Sequence, residues 1–309
     1  MKLSFAKKTI IISLTAVVSS LFLFSCAKNA ATNSADNSVF ANNIIGGEVA
    51  DATFEKTNGV VGLVILSKQP GVNLKGEPNM SEAICTGSLI GKRTVLTAAH
   101  CLYDPNITDV IAVFNPSLDD GSKQKAFIHG ARAIPSELFS PSSKGGSFVE
   151  GKPWNDIAIV QLRSDAPADF QLTQLPTEKD LGLLKAGSDI LLAGYGVTNP
   201  IVNVEKMVKG KKVITPVVDA SDTAGILRFV TTKVLIATKD NKEIEIDQLG
   251  GTRGACHGDS GGPAFIKNAE GTYTIIGVTS RGTDLNGNCD KQNVYTNVYG
   301  QLDWIKANM

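Results

Sequence analysis

From Ile44 onward the chain is built from short, β-branched apolar runs separated by clusters of turn-forming residues. That punctuation narrows the folds open to it more than any other feature. Residues 60–66, 88–90, 95–97, 110–114, 157–162, 190–193, 229–237 and 274–279 are such runs, with Gly, Asn, Asp, Ser or Pro clusters between them. They are mostly too short for helices, and β-branched side chains pack best on a pleated surface, so the pattern predicts an all-β sandwich or barrel. Helical spacing is convincing only at the end, where Val298, Leu302, Trp304 and Ile305 define one short amphipathic segment over about 298–308. Residues 164–176, with Pro167 and Pro176, read as a linker between two β halves of about 44–165 and 177–297. Residues 199–223 read as a long surface loop carrying Lys206, Lys209, Lys211 and Lys212. With 42% hydrophobic and 19% charged residues the chain can bury a core, which excludes disorder for most of its length. Thirty basic against 30 acidic residues excludes a general nucleic-acid binder.

The first 43 residues follow other rules. Lys2, Lys7 and Lys8 precede an uncharged, mostly apolar run over 10–24. A membrane-spanning helix needs about 20 apolar residues, so the shorter run fits a signal peptide better than a permanent anchor. Leu23-Phe24-Ser25-Cys26 resembles the lipobox of bacterial lipoproteins, in which the cysteine is lipidated and becomes the mature N-terminus, although Phe24 is bulkier than the usual residue there. An ordinary signal peptide, cut near Ser25-Cys26-Ala27, is the alternative. Residues 27–43 are small and polar and read as a tether. Removing these segments takes away more Lys than Asp, so the folded part, 44–309, is mildly acidic.

Chemistry concentrates around Cys256-His257-Gly258-Asp259-Ser260-Gly261-Gly262-Pro263, where a serine sits among glycines that let the backbone turn and present N–H groups. A serine hydroxyl attacks only when a base takes its proton, and that base works best when a carboxylate holds its tautomer. His100, after the run Val95-Leu96-Thr97-Ala98-Ala99, and Asp156, at the head of Asp156-Ile157-Ala158-Ile159-Val160, can supply both. An aspartate entering a buried strand is costly unless paired, and a histidine N–H would pair it. Gly258-x-Ser260-x-Gly262 also fits the nucleophile elbow of α/β-hydrolases. In that fold the histidine follows the serine, and no histidine follows Ser260.

With these residues in view, the chain resembles the chymotrypsin/trypsin-like serine proteases over 44–309. Ile44-Ile45-Gly46-Gly47 is similar to the family's N-terminus after zymogen cleavage, Leu96-Thr97-Ala98-Ala99-His100-Cys101 to its histidine motif, and Asn155-Asp156-Ile157-Ala158 to its aspartate motif. Gly258-Asp259-Ser260-Gly261-Gly262-Pro263 is similar to its nucleophile motif, and Gly194-Tyr195-Gly196 and the closing segment stand in family order. The resemblance implies two six-stranded antiparallel β-barrels with a C-terminal helix, protein or peptide substrates, no cofactor and a monomer. Ser260 would be the nucleophile, His100 the base and Asp156 its orienting partner, with the N–H groups of Gly258 and Ser260 as the oxyanion hole. Asp259 would take the amine freed at Ile44, and an uncut chain would leave it unpartnered and the loop unformed. Asn43 stands where trypsinogen-like zymogens carry a basic residue, so the activating enzyme would not be trypsin-like, or the protein would process itself. A non-catalytic binding protein on this scaffold is the rival reading, but such proteins usually lose a triad residue.

The resemblance also pairs Cys85 with Cys101 and Cys256 with Cys289, leaving Cys26 for lipid and pointing to an exported, oxidising setting. No Cys or His spacing matches a zinc site, and the run 284–290 has its glycine in the wrong place for a calcium loop, so no metal is expected. His257 falls at the mouth of the specificity pocket, and His129 fits no motif. Gly254 occupies the pocket-floor position where trypsins carry an aspartate, with Ala255 beside it. Ser280 and Gly282 belong to the substrate-pairing strand, with Arg281 where a tryptophan is usual, and Asn293 falls near a wall. The expectation is therefore an uncharged pocket favouring small or medium neutral side chains rather than Arg or Lys, with Arg281 and Arg253 leaving a smaller case for acidic ones.

Overall fold

The computed structural model describes residues 44–73, 76–119, 126–140, 153–198, 202–208, 211–217, 224–237, 242–284 and 289–309. The signal segment, Cys26, the tether and Asn43 lie outside them. The described part is all-β, with two closed six-stranded antiparallel barrels.

After the two-residue strand β1 (Glu48–Val49) comes a helix that the apolar pattern did not predict, α1 (Ala52–Asn58). Its signals are local: the Asp51 side chain caps it by accepting the Phe54 N–H at 2.8 Å, and Gly59 ends it at φ 62°. The first barrel is formed by β2 (Val60–Val72), β3 (Pro78–Gly91), β4 (Thr94–Thr97), β5 (Ile107–Phe114), β6 (Ala126–Pro135) and β7 (Ala158–Leu162), closing in the order β2-β3-β4-β7-β6-β5. Val60, Leu63, Val95, Leu96, Ile111 and Ile159 are among the side chains filling it. The short helix α2 (Glu178–Leu181) lies between the barrels in sequence.

The second barrel uses β8 (Asp189–Gly194), then β11 (Arg228–Ala237), β12 (Glu243–Ile246), β13 (Pro263–Lys267), β14 (Tyr273–Gly282) and β15 (Asn293–Asn297). It closes through the pairing of β11 with β8, and β1 adds to β11 through Glu48 opposite Phe229 and Val49 opposite Arg228. Ile190, Leu192, Ile244, Ile246, Ile276 and Tyr295 pack inside it, and Ile44 is buried with them. Between β8 and β11 the predicted surface loop is instead an antiparallel pair, β9 (Val202–Val208) with β10 (Lys211–Val217). Its lysines mask a strand pattern, because ladder hydrogen bonds come from the backbone whatever the side-chain charge.

The predicted C-terminal segment is a 3₁₀ turn over Tyr299–Gln301 followed by α3 (Leu302–Asn308). It packs back on the first barrel: Ile305 joins that core, and the Gln161 amide donates to the Asn308 carbonyl at 2.8 Å. The chain's last element therefore straps the two barrels together.

Candidate active site

His100 sits in the 3₁₀ turn Ala99–Leu102 after β4, and the Cys85–Cys101 disulfide pins that turn to β3. Asp156 immediately precedes Ile157 and β7, and its side chain is fully buried. Its carboxylate accepts the backbone N–H of His100 at 2.9 Å, while His100 Nδ1 lies 2.7 Å from its Oδ2. The Ser280 hydroxyl donates to the same Oδ2 at 2.7 Å, and Thr296 donates to the Asp156 carbonyl at 2.9 Å. A buried carboxylate is tolerable when its lone pairs are used in this way. Burial opposes charge on the His100 imidazole, but the Asp156 carboxylate and its hydrogen bond outweigh burial and hold the pKa above the ordinary value. With Nδ1 hydrogen-bonded to the carboxylate, Nε2 is left as the proton acceptor. The residue before Asp156, Asn155, has φ 50°, a conformation asparagine tolerates well, and its side chain is held by Gln301 at 2.9 Å.

The serine loop is held from the opposite barrel. Thr86 of β3 donates its hydroxyl to the Gly258 carbonyl at 3.0 Å and its N–H to the Ser260 carbonyl at 2.8 Å. The same hydroxyl accepts the Tyr195 N–H at 3.0 Å, so one buried threonine joins the loop, the Gly194-Tyr195-Gly196 segment and the first barrel. Gly258 has φ 96°, and a Cβ there would meet the Gly196 Cα at 2.9 Å. The Asp259 carboxyl is buried and accepts the N–H groups of Gly196 at 2.7 Å and Cys256 at 2.8 Å. Burial pushes its pKa up to about 7 against those bonds and the nearby Arg228 guanidinium. These bonds tie the Asp259 carboxyl to the Cys256 and Gly196 backbone on either side of it.

His100 and Ser260, from different barrels, face one cavity of about 230 Å³. The trypsin family model matches residues 68–305. The chain belongs to the trypsin family. It is 28% identical over 228 residues to chymotrypsin of Phaedon cochleariae, covering 72% of this chain and 71% of that one. It is 32% identical over 244 residues to phenoloxidase-activating factor 3 of Holotrichia diomphalia, covering 73% and 64% respectively. The solved structure of HL collagenase superposes with a TM-score of 0.59 at 20% identity, over 86% of this chain and 98% of that one, which bears on the fold alone. Trypsin-family membership makes protein or peptide the substrate class, and the two disulfides suit an exported, oxidising setting.

Seen as a trypsin-family site, the cavity gathers most residues expected from the sequence: His100, Ser260, Ala255, Ser280, Gly282 and Asn293 line it, with the exposed His257. Gly254 is not among the lining residues; it is buried and donates its N–H to the Ile45 carbonyl at 3.0 Å. The Cys256–Cys289 disulfide ties two lining segments together. His100 and His257 each neighbour a cysteine pair, but those cysteines are joined and offer no thiolate to a metal. His129 lies outside this cavity, half-buried, with Nδ1 2.5 Å from Asp109 Oδ2.

Arg281 lines the cavity, but its guanidinium is buried in a bidentate pair with Glu243 at 2.8 and 3.0 Å and stacks 4.5 Å from the Trp154 ring centroid. Its charge is spent on holding β14 to β12 and to the segment before Asp156. Asp284, whose side chain is 4% exposed, is also among the lining residues. Counting back from Ser260 does not find Asp284, which a later segment supplies. Thr86 and Glu243 were missed for the same reason: their partners are distant in sequence, and the adjacent residues carry no motif for them.

Proposed function

We propose that the chain is a serine endopeptidase that hydrolyses peptide bonds through an acyl-enzyme. Ser260 attacks the scissile carbonyl, and His100 takes its proton and delivers it to the leaving amine. Asp156 holds the imidazole tautomer, and the N–H groups of Gly258 and Ser260 receive the developing oxyanion. The observation that carries this reading is the 2.7 Å approach of His100 Nδ1 to the buried, triply hydrogen-bonded Asp156 carboxylate, with His100 and Ser260 on one cavity.

Activation follows cleavage between Asn43 and Ile44. Its support is that Ile44 is already buried in the second core and that Asp259 is a buried carboxyl awaiting a full counter-charge. If Cys26 is lipidated, this cut frees a soluble, monomeric protease from a membrane tether. A fluorophosphonate probe tests the chain of steps at once. It should label Ser260 only in a species beginning at Ile44, in the soluble fraction, and not in Ser260→Ala. Absence of labelling from an Ile44-terminated species would favour a catalytically silent binding protein. Labelled enzyme retained on membranes would defeat the release step.

A further inference from the structure

A second cavity, of about 300 Å³, lies apart from the one that holds His100 and Ser260, and the two share no lining residue. Its walls are the end of α1, residues 171–174, and the hairpin that joins β13 to β14. Tyr273 opens β14 at this cavity and Ser280 lies near the end of the same strand at the other. Roughly 20 Å of strand therefore separates them. A ligand held here leaves the way to Ser260 free.

The lining offers a narrow chemistry. None of its described residues is charged, so a phosphate, carboxylate or ammonium would find no opposite charge in it. The free groups are amides, a hydroxyl and a ring: the side chains of Gln171, Gln174 and Tyr273 make no hydrogen bond among the described residues. Tyr273 is 36% exposed, and the buried Phe265 backs it at 6.1 Å between ring centroids. The walls are held by other atoms. Thr173 donates its hydroxyl to the Asn58 carbonyl at 2.8 Å, and the Asn268 amide donates to the Thr272 hydroxyl at 2.7 Å. The main chain is also engaged. The Gln171 N–H goes to the Lys56 carbonyl at 2.8 Å and the Thr173 N–H to the Leu89 carbonyl at 2.7 Å, while the Gln174 carbonyl accepts the Ile275 N–H at 3.0 Å. A peptide that adds as a strand needs a free main-chain edge, and these bonds take it away.

We propose that this cavity binds a neutral sugar ring of a glycan. A pyranose carries C–H groups on one face and hydroxyls around its rim. The C–H face lies on an exposed aromatic ring, and a primary amide donates to one hydroxyl while accepting from its neighbour. Tyr273 supplies the ring, and Gln171 and Gln174 supply the amides. The volume stands at the low end of the range of about 300–1,000 Å³ for small-molecule sites, which suits about one ring with the rest of the glycan outside. The site holds the protein on glycan-bearing material while the cavity at Ser260 stays accessible. The glycan is either a free polysaccharide or one borne by a protein, and the chemistry of recognition is the same. Binding here does not depend on the endopeptidase reading.

The test titrates the whole chain, carrying Ser260→Ala against self-digestion, with the linear hexaoses of glucose, mannose and N-acetylglucosamine by isothermal titration calorimetry. One of them should bind saturably at a single site. Tyr273→Ala should weaken that binding about tenfold, and Tyr273→Phe, which keeps the ring, by less. Tyr273→Ala also removes a contact with Phe265, so Gln171→Ala and Gln174→Ala, both at exposed positions, form the second set. Each should weaken binding about 3- to 10-fold with the melting temperature unchanged. A second arm measures retention on a glycoprotein bearing the same sugar, before and after enzymatic removal of its glycans, and on the insoluble polysaccharide. Retention lost with the glycans assigns a protein-borne ligand, retention on the polysaccharide alone assigns a free one, and both uphold the site. No saturable binding of any hexaose, or binding that the Tyr273 and Gln variants leave unchanged, would overturn it. So would tighter binding, through these same residues, of a sulfated hexasaccharide or an unglycosylated peptide.

Discussion

Single side chains here are placed by where their charge can survive. Glu55 of α1 is buried, with Oε1 3.0 Å from the hydroxyl of Tyr195, which is itself 3.0 Å from the Asn115 carbonyl. Burial is the largest influence and raises the Glu55 pKa from 4.5 to about 8, against the Tyr195 hydrogen bond and Lys56. When neutral, Glu55 can donate to the Tyr195 oxygen while the Tyr195 hydroxyl serves the Asn115 carbonyl. The folded state then keeps a proton that the unfolded state releases, and stability falls as pH rises from about 4.5 to about 8 and levels off above. Glu55→Gln does not titrate. Its melting temperature should gain on wild type steadily between about pH 5 and pH 8 and then hold level, by an amount equivalent to a few kcal/mol at about 1.4 kcal/mol per unit. A difference independent of pH would show that the carboxyl is ionised in the fold. Nothing local in Phe54-Glu55-Lys56 announces this burial, because an exposed helical glutamate would read the same way.

At the level of elements, the β-branched runs were legible because their partners impose the same alternation on both sides of a ladder. Runs 60–66, 110–114 and 190–193 lie within β2, β5 and β8, while β9 and β10 were read as loop because charge disguised them. What joins elements was less visible. Thr86 looks like any strand threonine, yet its hydroxyl ties β3 to the nucleophile loop and to the segment after β8. Thr86→Val keeps the shape and leaves the Gly258 carbonyl and Tyr195 N–H unpaired, each worth about 1–3 kcal/mol when buried. Urea unfolding should show a loss of at least about 2 kcal/mol. kcat should fall several-fold with KM little changed, because the oxyanion-binding backbone is what shifts. Thr86→Ser should recover most of both losses. Unchanged kcat in the valine variant would show that the loop is set from its own side.

For the whole molecule, the proposed activation couples Ile44 to Asp259 beside the second barrel. In the uncut chain Asp259 has a pKa of about 7 against an ordinary 3.8, raised chiefly by burial. The fold therefore binds a proton that the unfolded chain loses across that interval, and the uncut form weakens as pH climbs through it. An amine freed at Ile44 would pair with Asp259 and remove this penalty. The melting temperature of the cut form should exceed that of the uncut form by a margin that widens from pH 5 to about pH 7.5. The margin should close only as the amine loses its proton, above its ordinary value of about 8. Parallel profiles in differential scanning calorimetry would dissociate Asp259 from the new terminus.

By itself the sequence determined the all-β class and the C-terminal helix, and it nominated His100, Asp156 and Ser260 as the candidate triad. Those follow from periodicity and from short motifs whose chemistry is carried by neighbouring residues. Only the tertiary structure decided that Ser280 joins the Asp156 carboxylate, that Glu243 cancels Arg281, and that Asp284 enters the pocket wall. The physical reason is separation along the chain. Ser280 and Asp156 are 124 residues apart, and a charge's effect depends on what burial and folding place within a few ångströms of it.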